Sequence, residues 1–317
     1  VRKLQEILEK IKPQTKSKWE WQILPELKMP VWVVKGNQSG KVLAISAGVH
    51  GCEYVGIAAV KRAFESLDAD KISGMILFFP LINAAGFYQG KKQIMPLDEE
   101  RKNLNRIFPG KRDGTLAERL AHRLEEQLYP EIDFLLDLHG GDIDEDMQDL
   151  LFFSENVSKT VRDVAENIAS CMPIPYRLCS QAENGFYSRA AKMGTPALLL
   201  EIGSGGKFCD EEVIRCLECI EVAQRALGIV QGEVSVNQEQ KCSQRTEYVF
   251  AASDGFWHRM AKAGDRVKKG DVLGEIKSLE DVLLQRVIAK FDGVVWYGQT
   301  GFGVSSQTHL LAYGAEE

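Results

Sequence analysis

The pentapeptide Val49-His50-Gly51-Cys52-Glu53 constrains this chain more than any other stretch. Residues 41–48 (KVLAISAG) before it form an apolar run that reads as a buried strand, and residues 54–64 (YVGIAAVKRAF) after it read as a helix. The His-x-x-Glu pair therefore sits where a strand hands over to a helix, the position at which α/β proteins place ligands and catalytic groups. His50 and Glu53 are three apart, so one turn of chain can aim both side chains at one point. Imidazole plus carboxylate suits zinc, and a catalytic zinc takes three protein ligands and leaves one position open. The rest of the chain then has to supply a third ligand, a base and a substrate clamp.

The same handover recurs. Apolar runs at 75–80, 134–139 and 197–202 read as buried strands, the last two running into glycine-rich turns. Residues 116–128, 159–170 and 211–227 carry helical periodicity. Alternating strands and helices predict a mixed or parallel sheet covered on both faces. Residues 1–12 read as a surface helix closed by Pro13, and residues 19–35 as short strands interrupted by Pro25 and Pro30. Residues 87–113 form a long polar, basic loop, and such loops within a domain are more often functional than idle. From 231 to 246 the chain is polar and aperiodic, as a linker would be. Beyond it glycines punctuate short β-rich runs, an all-β module of about 70 residues. The expected division is thus 1–235 for an α/β domain and 246–317 for a β domain.

Three of the strands end on a polar residue: His50, His139 and Glu201. His139 is the natural third ligand, with a buried core histidine as the alternative. Asp137, two residues earlier on the same strand, faces the same way and can hold the imidazole by its second N–H. Glu201 closes an apolar strand, where a carboxylate is costly unless paired, solvated or functional; beside a metal it can take a proton from water and pass it on. A structural salt bridge is the other reading. In the basic loop, Asn105-Arg106 offers an amide and a planar fork for a carboxylate, or simply a solvated loop. The acidic run Asp142-Ile143-Asp144-Glu145-Asp146 lacks the glycine and terminal Glu of a calcium loop. It reads as a solvated loop, or as a rim that disfavours dianionic substrates and welcomes an amine.

His50-x-x-Glu53, Asn105-Arg106, Asp137-Leu138-His139 and Leu200-Glu201-Ile202-Gly203 together resemble the succinylglutamate desuccinylase/aspartoacylase family of the zinc carboxypeptidase superfamily. The resemblance runs from about residue 30 to the C-terminus. It implies a carboxypeptidase-like α/β/α sandwich with a mixed sheet and one zinc per chain. By position, His50, Glu53 and His139 would bind the metal, Glu201 would be catalytic base and acid, and Asn105 and Arg106 would bind a substrate carboxylate. Members often carry an acidic residue where Cys52 stands. Many have an Arg that polarises the scissile carbonyl near the place of Lys92 and Gln93, and here Asp98-Glu99-Glu100 lengthens the loop. Arg101 or Lys92 is then expected to take the oxyanion role.

The C-terminal stretch 264–276 and the later Lys290-Phe291-Asp292-Gly293 resemble the barrel-sandwich core of lipoyl and biotinyl carriers. The hairpin tip Ser278-Leu279-Glu280-Asp281 has no lysine to modify, so a swinging arm is not expected. In the resembled deacylase family such a module can wall the active site. His258 and His309 lie in it and are given no metal role.

Bulk properties limit the alternatives. The chain has 317 residues, 44% hydrophobic and 26% charged, with a formal net charge of -6, which argues against nucleic acid or an acidic membrane surface as partner. No apolar run approaches a membrane span. The first residues are amphipathic and charged, without the apolar core of a secretion signal. Seven irregularly spaced cysteines do not look like a disulfide framework, and Cys216-x-x-Cys219 reads as two helix residues facing a core; reduced thiols and a cytoplasmic location follow. The expected activity is a zinc-dependent amidohydrolase that removes an acyl group from a small N-acyl amino acid. A metallocarboxypeptidase on short peptides and a non-catalytic carboxylate-binding protein are the alternatives, and self-association into a homo-oligomer stays open.

Overall fold

The computed structural model describes residues 3–94, 103–243 and 245–316. Nine strands form one mixed sheet. In chain order they are β1 (Thr15–Leu24), β2 (Leu27–Lys35), β3 (Gln38–Ala47), β4 (Ser73–Phe79) and β5 (Phe134–His139). After β6 (Glu145–Met147), which belongs elsewhere, come β7 (Leu150–Ser154), β8 (Tyr176–Ser180), β9 (Ala197–Glu201) and β10 (Lys241–Ser243). Their spatial order is β1-β2-β4-β3-β5-β9-β7-β8-β10. The centre, β4-β3-β5-β9, is parallel, and the antiparallel pairs β2–β4 and β7–β9 flank it. Every residue of β5 is buried, as expected of a central strand covered on both faces.

Among the described residues seven α-helices flank this sheet: α1 (Leu4–Leu8), α2 (Tyr54–Ser66), α3 (Ala84–Tyr88), α4 (Leu116–Gln127), α5 (Lys159–Ala169), α6 (Phe186–Lys192) and α7 (Asp210–Ala226). Two apolar cores form, one on each side of the sheet. On one face Leu135, Leu199 and Val31 meet Leu120 and Leu124 of α4, Phe186 of α6 and Leu4 of α1. On the other, Ile45, Leu136 and Leu198 meet Val60 of α2, Ile168 of α5 and Cys216 and Cys219 of α7. The mixed sheet covered on both faces that alternation predicts is present, and with it the α/β/α sandwich that the resemblance implies. Thr115 starts α4 with a reciprocal cap: its hydroxyl accepts from the Glu118 amide, and Glu118 accepts from the Thr115 amide.

The prolines of residues 19–35 do not break the chain into short strands. Pro25 sits in the tight connection of a long hairpin, and Pro30 lies inside β2 opposite Glu20. β4 pairs β2 only from Trp32 to Lys35, so Pro30 falls where β2 has one neighbour. Within the polar stretch 231–246, Lys241–Ser243 adds a short parallel strand beside β8. All seven cysteines are free thiols.

The C-terminal part is antiparallel: β11 (Thr246–Phe250), β12 (Gly255–Arg259), β13 (Arg266–Val267), β14 (Val272–Lys277), β15 (Leu283–Ile288), β16 (Gly293–Gln299), β17 (Gly303–Val304) and β18 (His309–Gly314). They form two sheets, β11-β18-β16-β13 and β15-β14-β12-β17, around Trp257, Leu273, Ile276, Leu311 and Tyr313, without closing into a barrel. The β14–β15 hairpin turns at Ser278–Asp281, where the Ser278 amide donates to the Val282 carbonyl at 2.9 Å.

The acidic run is not a free loop. Glu145–Met147 is a strand that joins the C-terminal sheet, opposite Gln299, Gly298 and Tyr297 of β16. Alternation along β6 divides its side chains. Asp146 accepts from Arg259 at 2.7 Å, and Asp144 accepts from the Gln299 amide at 2.9 Å, both in the C-terminal part. A second apolar cluster of Leu150, Leu178, Val294, Trp296 and Ala312 fills the joint between the two parts.

Truncation of a central-strand residue should therefore be costly. Leu136→Ala is expected to lose about 2–5 kcal/mol, whereas Leu279→Ala at the exposed hairpin tip should change stability by less than about 0.5 kcal/mol. Chemical denaturation followed by circular dichroism tests this; equal effects of the two changes would contradict the burial described.

Candidate metal and active site

The site is built at the C-terminal ends of the central parallel strands. β3 ends at Ala47, and the turn to α2 carries His50 and Glu53, both about 5% exposed. That turn is held close to the neighbouring one: a Cβ on Gly51 would lie 2.2 Å from the Phe87 amide nitrogen, so only glycine fits there. His139 ends β5, and in the β5–β9 ladder it stands directly opposite Glu201, the last residue of β9. Strand register thus brings together groups that are distant in sequence.

Donor atoms of His50, Glu53 and His139 lie within 4.8 Å of one another, the one such group among the described residues. The Glu53 carboxylate stands between the two imidazoles, with Oε1 2.6 Å from His50 Nδ1 and Oε2 2.8 Å from His139 Nδ1. The second contact is an ion-pair distance without hydrogen-bond geometry, and Glu53 Oε2 is buried with no hydrogen-bond partner among the described residues. The imidazole planes meet nearly edge to face, 4.9 Å between centroids. Behind them, Asp137 Oδ2 lies 3.1 Å from His139 Nε2, and Ser46 Oγ donates to Asp137 Oδ1 at 2.7 Å. Asp137 therefore fixes the His139 ring with Nδ1 toward Glu53, the outer-shell arrangement typical of metal-binding histidines. Two imidazoles and one carboxylate with an orphaned oxygen form a donor set that could hold zinc.

Electrostatics agree with a cluster held in place by charge. Burial disfavours charge on His139, yet the Asp137 and Glu53 carboxylates outweigh it and lift its pKa well above the usual histidine range. Burial lowers His50, against the pull of Glu53. Glu53 is lowered despite its burial, because both imidazoles favour its charged form. Glu201 goes the other way. Burial raises its carboxyl well above the usual range, with His139 opposing and Glu53 and Glu145 adding to the rise. Among the described residues, Glu201 Oε2 is also buried without a hydrogen-bond partner.

His50, Glu53 and Glu201 open onto a cavity of about 360 Å³, whose walls include Lys92, Asn105, Arg106, Glu145, Tyr187, Tyr248 and Tyr297. The sequence-predicted Asn105 and Arg106 are thus in the same wall as the metal donors. Asn105 Oδ1 accepts from the Phe186 amide at 2.7 Å, which leaves its NH2 group for the cavity. The approach is close enough that a Cβ on Gly185 would meet Asn105 Oδ1 at 2.8 Å. Arg106 Nη1 donates to its neighbour's carbonyl at 2.8 Å and makes no ion pair among the described residues. Arg101 lies outside the described residues. Lys92, the other candidate for the oxyanion, lines the cavity with its ammonium 3.4 Å from Asp142. Cys52, where members of the resembled family often carry an acidic residue, donates its thiol to Asp142 at 3.0 Å.

Asn103, which contacts His50, and three tyrosines of the cavity wall had no individual reading from sequence. Asn103 accepts from His50 Nε2 at 2.8 Å and also from the Asn105 amide; its place in Asn103-Leu104-Asn105-Arg106 was the available signal. Tyr187, Tyr248 and Tyr297 come from segments with no polar punctuation that would set them apart.

Known proteins resemble this chain over most of its length. Residues 39–227 match the model of the succinylglutamate desuccinylase/aspartoacylase catalytic domain. The N-alpha-acetyl-L-2,4-diaminobutyric acid deacetylase of Halomonas elongata is 28% identical over 258 residues, covering 78% of this chain and 73% of that protein. A succinylglutamate desuccinylase/aspartoacylase from Rhodobacter sphaeroides superposes with a TM-score of 0.82 at 24% identity, over 92% of this chain and 90% of that one. The product-bound ectoine utilization protein EutE (DoeB) from Ruegeria pomeroyi gives 0.81 at 24%, over 95% and 93%. The two structural likenesses speak to the fold alone, but the matched catalytic-domain model covers more than half the sequence. With that match and the converging donors, the chain belongs to the succinylglutamate desuccinylase/aspartoacylase family.

Proposed function

We propose that this protein is a zinc-dependent amidohydrolase that removes the acyl group from a small N-acyl amino acid. One observation carries the reading: the donors of His50, Glu53 and His139 converge beside Glu201 in a cavity that also presents the Arg106 guanidinium. The diaminobutyric acid deacetylase of Halomonas elongata, similar over most of its length, supports an acyl-amino acid over a peptide.

His50, Glu53 and His139 would hold the cation, and Asp137 would keep the His139 ring oriented. A bound zinc supplies Lewis acidity, activating water and polarising a carbonyl. Glu201 then acts as the proton carrier. A carboxyl raised by burial holds a proton more readily than an exposed one, which suits a group that removes a proton from water and returns it to the leaving amine. Water oxygen bonds to the acyl carbon, the C–N bond breaks, and the amine departs with the proton Glu201 carried. Arg106 offers two parallel N–H donors to the substrate carboxylate, and the Asn105 amide adds a directional third. Lys92, kept in the wall by Asp142, takes the developing charge on the carbonyl oxygen. A pure carboxylate binder would have no use for a half-buried Glu201 whose Oε2 has no hydrogen-bond partner among the described residues.

Three results are expected. Glu201→Gln should keep its metal content and lose about 10²–10⁴-fold in kcat on N-acetyl amino acids; a rate near wild type would remove Glu201 from this role. His50→Ala and His139→Ala should lose stoichiometric zinc by elemental analysis. Asp137→Asn should weaken metal affinity about 10–100-fold in a chelator competition. Dipeptides assayed beside the acyl-amino acids separate deacylase from carboxypeptidase.

A further inference from the structure

Behind each donor imidazole stands an oxygen, and the two oxygens differ in kind. His139 Nε2 faces a carboxylate, Asp137 Oδ2 at 3.1 Å. His50 Nε2 faces an amide, Asn103 Oδ1 at 2.8 Å, from a residue 53 positions further along the chain. Asn103 also opens the short 3₁₀ turn Leu104–Arg106. Its side chain accepts from the Asn105 amide at 2.8 Å, and its carbonyl accepts from the Arg106 amide at 3.0 Å. A residue that only capped this turn would need no contact with His50.

That contact decides which ring nitrogen His50 offers. A backbone N–H can only donate, so the Asn103 atom facing the Asn105 amide is the carbonyl oxygen. The same oxygen faces His50 Nε2, so Nε2 carries the proton. In a neutral imidazole the other nitrogen is then a lone pair. It is Nδ1, 2.6 Å from Glu53 Oε1. Asp137 sets His139 in the same sense, with Nδ1 2.8 Å from Glu53 Oε2. Two lone pairs turned on one carboxylate call for positive charge among them, a metal ion or a further ring proton. The two supports differ in what else they lend. A carboxylate behind a ligand imidazole orients the ring and raises its basicity, whereas an amide oxygen only orients it.

We propose that Asn103 is the positioning residue of His50, and that its neutrality leaves His50 the weaker of the two histidine ligands, so that a carboxylate in its place tightens the site. This rests on the metal-site reading above and deepens it. One oxygen atom then ties the turn that presents Asn105 and Arg106 to the metal donors.

The test is zinc affinity of the full chain, measured by competition with a chromophoric chelator, together with histidine-ring NMR of the zinc-loaded protein. Asn103→Leu, close in size but without the acceptor, should bind zinc about 10–100-fold more weakly than wild type. Asn103→Asp, which keeps the acceptor and adds charge, should bind about 10-fold more tightly than wild type. In the spectra, a slowly exchanging Nε2 proton of His50 should be present in wild type and Asn103→Asp and lost in Asn103→Leu. The corresponding proton of His139 should stay unchanged in all three, which a general loosening of the fold would not allow. Zinc affinity of Asn103→Leu equal to wild type, or a His50 Nε2 proton that survives in it, overturns the proposal. If Asn103→Leu does not fold, Asn103→Asp decides: affinity no higher than wild type overturns it. Wild type that binds no zinc discards the metal-site reading and this proposal with it. The expected order of affinities, with no N-acetyl amino acid hydrolysed, keeps the role of Asn103 and discards the deacylase.

Discussion

The parallel pairing of β5 between β3 and β9 is the constraint from which the site follows. Hydrogen bonding fixes Ser46 beside Asp137 and His139 beside Glu201. A shift of one residue in either ladder would send His139 or Glu201 to the opposite face of the sheet. The apolar residues of these strands set the register by filling the two cores, so the packing that folds the domain also positions its chemistry. Loops contribute reach, but the precision comes from a fully buried strand.

This placement concentrates charge where the sheet is least able to tolerate it. Glu53, Asp137, His50 and His139 are all close to fully buried, with Glu201 partly so. The imidazole–carboxylate contacts offset part of the desolvation, and the Asp137–Ser46 hydrogen bond satisfies another lone pair. Among the described residues Glu53 Oε2 and Glu201 Oε2 remain without hydrogen-bond partners. Local violations of polar satisfaction of this kind gather at functional sites, where a ligand completes the network.

Much of this was legible in the residues, for a physical reason: an apolar run that ends on a histidine or glutamate is a costly pattern, and His50, His139 and Glu201 each show it. Asp137 was legible from strand alternation. Other elements were hidden by composition. Pro30 disguised a long strand because a strand with one free flank tolerates proline. The acidic run concealed β6, whose pairing depends on a partner 150 residues later, on an ion pair to Arg259 and on a hydrogen bond from Gln299. Strand propensity cannot report such long-range pairing. Tyr248 and Tyr297 of the cavity wall were invisible for the same cause: their segments look like ordinary core, and only the docking of the C-terminal sheet brings them to the site.

β6 belongs by sequence to the α/β half and by hydrogen bonding to the β half. One face of that short ribbon fastens the C-terminal sheet, and its other face carries a wall of the cavity. Substitutions well away from the reacting groups, in β16 or around Trp296, can therefore tilt Glu145 and reshape what fits inside without disturbing the metal donors. The appended sheet is a place from which natural variation could retune substrate choice while the catalytic strands stay fixed.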